Sequence, residues 1–237
     1  LYWDINGAIA GAGGATPSGN WNTTGATNWS SVAAGTGSTA NWTSGADAVF
    51  SAGADATGSF TVTLGTTMNV GNLTVEEGTV GITASTLNFN RVGGSTINIA
   101  SGLTTTVSSI LGGSVALIKD GAGTFVSGGA SGNTITGSFT VSNGVFEVAK
   151  TANVSAIGNA SAVTIAAPGT LRFNGGALYT QEIIGSLSGA GTVTNVGASA
   201  VSLTVSGAAS TTFSGTLTNG ANALNLVKST GTGTLTL

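Results

Sequence analysis

The chain has 237 residues, of which five are Lys or Arg and eight are Asp or Glu, with no His, no Cys and a formal net charge of −3. Five scattered cations make no basic patch for phosphates, which argues against nucleic acid as a partner; without His or Cys there is no Ser-His-Asp or Cys-His catalysis, no zinc-thiolate site and no disulfide. Charge makes up only 5% of the chain, but a 41% hydrophobic content with 40 Gly and 2 Pro marks a folding chain and not a disordered one, and no apolar run is long enough for a membrane-spanning helix.

The chain begins "LYWDINGAIA", which carries no basic and apolar leader pattern, so any export signal is expected to have been removed or never included. Residues 1–57 then place Trp21, Trp29 and Trp42 in Asn-Trp-polar triplets among Gly, Ala and Thr. These three rings have two readings: exposed faces that stack on sugars, with the adjacent Asn bonding hydroxyls, or buried packing over the first coils of the domain that follows. "GAGG" at 11–14 has neither the Lys-Ser/Thr nor the following helix of a phosphate loop. Asp47 and Asp55 lack the spacing of a calcium loop, so no metal and no cofactor is expected.

From residue 58 onward apolar residues alternate with Ser, Thr or Asn, as in Phe60/Val62/Leu64, Val80/Ile82, Leu87/Phe89, Ile97/Ile99, Phe139/Val141, Val163/Ile165, Leu171/Phe173 and Leu203/Val205. Period two predicts strands with one buried face. Gly-containing turns such as Glu77-Gly78, Gly93-Gly94, Asn143-Gly144 and Asn219-Gly220 separate them at intervals of roughly ten residues. Glu76-Glu77 is the only adjacent acidic pair and reads as a solvated turn. The segment 179–187, "YTQEIIGSL", is the nearest thing to a helix but reads better as a strand or turn.

Repetition chooses among all-β architectures. Residues 134–150 ("TITGSFTVSNGVFEVAK") lie over 212–228 ("TFSGTLTNGANALNLVK"), both ending in Lys. Imperfect repeats of a strand-turn unit predict a parallel β-solenoid, residues 58–237, in which each coil of about 20 residues buries its inner face against its neighbours. The first 57 residues are expected to cap it.

Two phrases carry a family resemblance. Leu117-Ile118-Lys119-Asp120-Gly121-Ala122-Gly123-Thr124-Phe125, and the later run from Leu226 through Lys228, Gly231 and Gly233 to Leu235, resemble the Leu-x-Lys-x-Gly-x-Gly-Thr-Leu core of the autotransporter-associated β-strand repeat; the second phrase has one extra residue after its Lys. The resemblance implies a right-handed parallel β-helix on a bacterial surface or released from it, serving as a stalk, fibre or adhesin. In such a coil Leu117 and Phe125 face inward, Lys119 sits at a corner with its ammonium in water, and Gly121 and Gly123 let the corner bend. Lys228, Gly231 and Gly233 take the same places in the second copy. A non-enzymatic, extracellular structural protein is the leading expectation. The closing "GTGTLTL" is a strand without a polar cap, so the solenoid is expected to continue, either in a longer chain or by head-to-tail homo-oligomers and filaments. The alternatives are a glycan-binding adhesin using the Trp residues and, further behind, a β-helix glycosidase or lyase built on Asp47, Asp55 and Glu76.

Overall fold

The computed structural model describes residues 1–229 and 231–237; Thr230, within the second Lys phrase, lies outside the described residues. Among the described residues every regular element is a strand, and none is a helix. The strands stack as a parallel β-solenoid of about eight turns. At the spacing of neighbouring strands this gives a rod about 40 Å long.

A complete coil lays one strand on each of three sheets. Leu73–Val75 belongs to the first sheet, Thr79–Thr83 to the second and Thr86–Phe89 to the third. Ser95–Ile99, Thr104–Val107 and Ile110–Gly113 repeat the circuit one level on, each paired in parallel with its counterpart. From Ala48 onward, paired residues are separated by 19 (Met68 to Leu87) to 25 positions (Ala48 to Leu73). The coil length therefore varies by several residues while the ladders stay in register, because turns absorb the difference.

Alternation explains why these residues form these strands. Phe60, Val62 and Leu64 point into the core with 4% exposure or less, while Ser59 before them and Thr61 between them are open to solvent. In-register stacking then puts like on like. Phe125 lies on Phe146 with ring centres 5.7 Å apart, and Phe139 meets Phe146 edge-on at 4.6 Å. Outside, Thr170, Thr192 and Thr216 form one ladder of the second sheet. β-branched Thr suits a pleated outer surface and needs no charge to stay wet.

The segment before residue 58 is continuous with the column. Tyr2–Trp3 and Ala48–Phe50 are already rungs of the first sheet, and Gly19–Trp21 pairs in parallel with Ser59–Leu64 on the second. Among the described strands only Trp29–Ser30 runs against its neighbours, paired antiparallel with Tyr2–Trp3 on one side and Thr39–Ala40 on the other. No break in the ladders falls at residue 57. The segment 179–187 contains the strands Gln181–Ile184 and Ser186–Gly189.

The third sheet is interrupted once. It runs from Met68–Val70 to Thr134–Ile135 and resumes at Gln181–Ile184, because the intervening coil crosses that side with residues 149–161, which form no strand. The first and second ladders continue past this level through Ala162–Ile165 and Thr170–Phe173.

Corners are tight where a coil turns against the one before it. Gly121 has φ +73°, and a Cβ there would collide with the Ile99 carbonyl and the Asn98 side chain of the preceding coil. Gly93 has φ +90° but open space around it. Gly121→Ala is therefore expected to destabilise by about 3 kcal/mol or more, combining left-handed backbone strain with overpacking, and Gly93→Ala by about 1–2 kcal/mol from the strain alone. Denaturant midpoints of the two variants check the difference.

Candidate functional site

The sequence-derived candidates fall in separate places. Trp21, Trp29 and Trp42 join Trp3 and Phe50 in one aromatic cluster that fills the interior at the N-terminal end. Trp29 has ring centres at 4.8 Å from Trp21, 4.6 Å from Trp42 and 5.3 Å from Trp3. Period two explains the inward aim of Trp21, which lies in register with Leu64 of the next coil. Trp42 anchors by donating its indole N–H to the Asn69 carbonyl at 2.9 Å, and Trp3 donates to that of Pro17 at 2.7 Å. The three candidate rings are at most 4% exposed, so they offer no face on which a sugar can stack.

The Lys phrases need a correction. Leu117 and Phe125 do face inward, but so does Lys119, whose side chain is fully buried and not in water. It occupies an apolar ladder between Ile97 and Val141 on the first sheet. Its ammonium donates to the carbonyls of Asp120 (2.8 Å), Gly121 (2.8 Å) and Asn143 (3.2 Å), the last belonging to the next coil. A turn exposes carbonyls that no ladder satisfies; the Lys satisfies them from inside. Burial pulls its pKa down to about 8, with the Asp120 charge acting in the opposite sense.

Lys228 does the same work elsewhere, donating to Gly207 at 3.1 Å and Ser229 at 3.2 Å. It ends the third-sheet strand Leu224–Lys228, whereas Lys119 lies on the first sheet. Gly121 and Gly123 thus turn from first to second sheet, and Gly231 and Gly233 precede the strand Leu235–Thr236, which continues the first. The two phrases mark different corners of the column. The longer repeat is rotated likewise: 134–150 starts on the third sheet and 212–228 on the first.

The acidic candidates stay apart. Asp47 takes both oxygens to Arg91 at 2.7 and 2.8 Å, whereas Asp55 accepts from the backbone N–H of Ala12 (2.6 Å) and Gly14 (2.7 Å). The "GAGG" loop accordingly wraps the chain's own carboxylate. Among the described residues no group of three potential ligands is placed to hold a metal ion. Glu76 and Glu77 lie in the turn after Leu73–Val75.

The densest collection of buried polar groups lies at the interruption of the third sheet, and sequence reading did not single it out. Lys150 and Tyr179 are fully buried, Glu182 is 1% exposed and Asn133 8%. The Asn133 amide spans the gap: its Nδ2 donates to Ser127 Oγ (2.9 Å) and to the Ala156 carbonyl (2.8 Å), and its Oδ1 accepts from Leu111 N (3.0 Å) and Lys150 Nζ (3.1 Å). Lys150 also donates to the Gly128 carbonyl at 2.7 Å. Below, the Glu182 carboxylate accepts from Ala156 N at 3.0 Å, from Ile157 N at 2.8 Å and from the Tyr179 hydroxyl. Side chains from the coils on either side thus replace the hydrogen bonds that a missing strand would have made.

Burial moves the two charged members in opposite directions. Glu182 is raised to about 7 by desolvation, against the pull of its three donors and of Lys150, and Lys150 is lowered to about 8 by desolvation, against the pull of Glu182. Tyr179 is pushed above its ordinary range by the same burial and by the neighbouring carboxylate. One sequence signal was available: Glu182 has the same parity as Ile184 on its strand, so period two aims both inward.

A groove in the outer surface, about 260 Å³, opens where Gly81 stands between Thr61 and Thr106 on the second sheet; Ser18, Ser59 and Thr79 line it too. Its lining carries no charge. No family model matches the chain, and neither does any curated protein or solved structure.

Two outcomes follow from the buried charges. Lys119→Met should cost about 1–3 kcal/mol, the penalty for leaving buried carbonyls unpaired, read as a lowered denaturant midpoint. Glu182 should make the fold pH-dependent. Its folded pKa lies above the ordinary 4.5, so its contribution is fully present below pH 4.5 and is lost as pH rises through 7. The melting temperature is expected to fall between pH 5 and 7.5, by up to about 3 kcal/mol in stability, and to flatten in Glu182→Gln.

Proposed function

We propose that this chain is a non-enzymatic structural protein acting outside the cell, a β-solenoid segment of a fibre, filament or surface layer that extends by stacking coil on coil. One observation carries this reading. Level after level presents parallel strands and in-register apolar ladders to its neighbour, as Val193, Val201 and Leu203 do to Leu217, Leu224 and Leu226. Such a rung is complementary to another rung of the same kind, in the same chain or in a second copy. A second copy laid end to end supplies that rung, and a head-to-tail contact that does not close makes a filament.

The rest of the molecule supports the same role. Its buried Lys and Glu serve neighbouring backbone and side-chain groups, and its outer second-sheet face is a run of Thr ladders. The resemblance of the Lys119 and Lys228 phrases to autotransporter-associated repeats supports a bacterial surface setting. Electron microscopy and sedimentation at rising concentration test the assembly: wild type should form end-to-end rods, and Leu226→Lys, which places a charge in the apolar ladder beside Leu203, should remain monomeric. A wild type that stays monomeric at high concentration would remove the stacking role.

A further inference from the structure

The pairing of Lys150 with Asn133 does more than close a gap in a sheet. Lys150 Nζ touches the amide oxygen of a fixed Asn side chain at 3.1 Å, one bond away from the amide carbon. All four partners of that amide are in place, so its plane cannot turn away: Leu111 N and Lys150 Nζ on the oxygen, Ser127 Oγ and Ala156 O on the nitrogen. The Leu111 N–H, at 3.0 Å from Oδ1, is aimed where negative charge would develop if a nucleophile added to the amide carbon. The Glu182 carboxylate holds the N–H of Ala156, the residue whose carbonyl takes the Asn133 Nδ2 proton. Lys150 and Glu182 are buried to 1% exposure or less.

We propose that Lys150 and Asn133 join in an intramolecular isopeptide bond, formed by the folded chain itself. The neutral Lys150 amine adds to Asn133 Cγ, forming the new C–N bond, and the developing oxyanion is held by the Leu111 N–H. The Cγ–Nδ2 bond then breaks. The proton that Nζ sheds ends on the departing nitrogen, which leaves as ammonia. The net change converts one amine and one primary amide into one secondary amide and one ammonia, with no oxidant and no further reactant.

Burial supplies the reactivity. A dry enclosure favours the neutral acid and neutral amine over the ion pair, which is the protonation state the addition needs. With its pKa pulled down to about 8, Lys150 reaches the neutral amine far more readily than an exposed Lys does. Lys119 is the internal contrast. It is equally buried, but its ammonium meets only backbone carbonyls, so it has no side-chain amide to attack. The bond would tie one coil to the next at the level where the third ladder is missing, and it stands independently of how subunits assemble.

Intact mass under denaturing conditions tests this directly. The folded full-length chain, after incubation near pH 8, should weigh less than its sequence by one ammonia, about 17 Da, while the same chain held unfolded keeps its full mass. Tandem fragmentation should recover a branched peptide joining Lys150 to Asn133. Lys150→Met and Asn133→Ala, folded by circular dichroism, should keep full mass apart from the substitution. A folded wild type that retains its full mass after days overturns the proposal. So does an ammonia loss that maps to an Asn-Gly pair such as Asn143-Gly144.

Discussion

The stacking of one coil's strands on the next, N–H to carbonyl and apolar side chain to apolar side chain, is the constraint from which the other features of this protein follow. In a globular domain a buried residue has neighbours from many parts of the chain. Here it has those of its own coil and of the coils on either side, as with Ile97 between Leu73 and Lys119, or Phe146 between Phe125 and Leu171. Stability is therefore close to a sum of rung-on-rung contacts. A fault at one level cannot be offset by distant packing, so each irregularity has to be repaired where it occurs.

That requirement accounts for the chain's unusual use of charge. Lys119 and Lys228 bind turn carbonyls from within, Lys150 and Glu182 stand at the missing third-sheet rung, and Asn195 does similar work by donating to Ser199 and Ala223 carbonyls where residues 196–200 bulge between strands. Buried polar groups are costly unless paired. Each sits where the backbone leaves groups unpaired, so the same interruption that demands a polar side chain also satisfies it. The ion pairs near the surface link levels from outside, Glu147 with Arg172 across neighbouring rungs and Asp47 with Arg91 across two coils.

Much of this was legible in the sequence because it is local. Alternation in Phe60/Val62/Leu64 and its counterparts identified strands, Gly turns placed the corners, and imperfect repetition selected stacking over two facing sheets. What escaped reading was non-local or an inconsistency in applying the local rule. Leu117 inward implies Lys119 inward by the same parity, yet a Lys beside an Asp invites a solvent reading; the carbonyls of Asp120, Gly121 and Asn143 make burial tolerable, and their positions come from the turn and the next coil. Likewise Asn133 and Glu182 are 49 positions apart and meet the same residue, Ala156, only because two coils flank the same gap. The repeats misled in one respect. A strand followed by a Gly corner recurs at different faces of the column, so equivalence in sequence between Lys119 and Lys228 is equivalence of corner chemistry and not of position around the coil.

The interruption at residues 149–161 concentrates these themes. Removing one strand from one sheet leaves backbone groups on both adjoining levels without partners, and it opens the interior on that side. Leu111, Ser127 and Asn133 answer from the levels above, and Tyr179 and Glu182 from below, with Lys150, Ala156 and Ile157 of the crossing segment between them. Such a set cannot be assembled piecemeal, because each member alone would be an unpaired polar group in a dry column. Its density is a direct consequence of the architecture: where rungs stack without lateral support, the level that lacks a ladder must gain the strongest local connections, and a Lys held against an Asn amide in that setting has both the contact and the dryness that covalent joining requires.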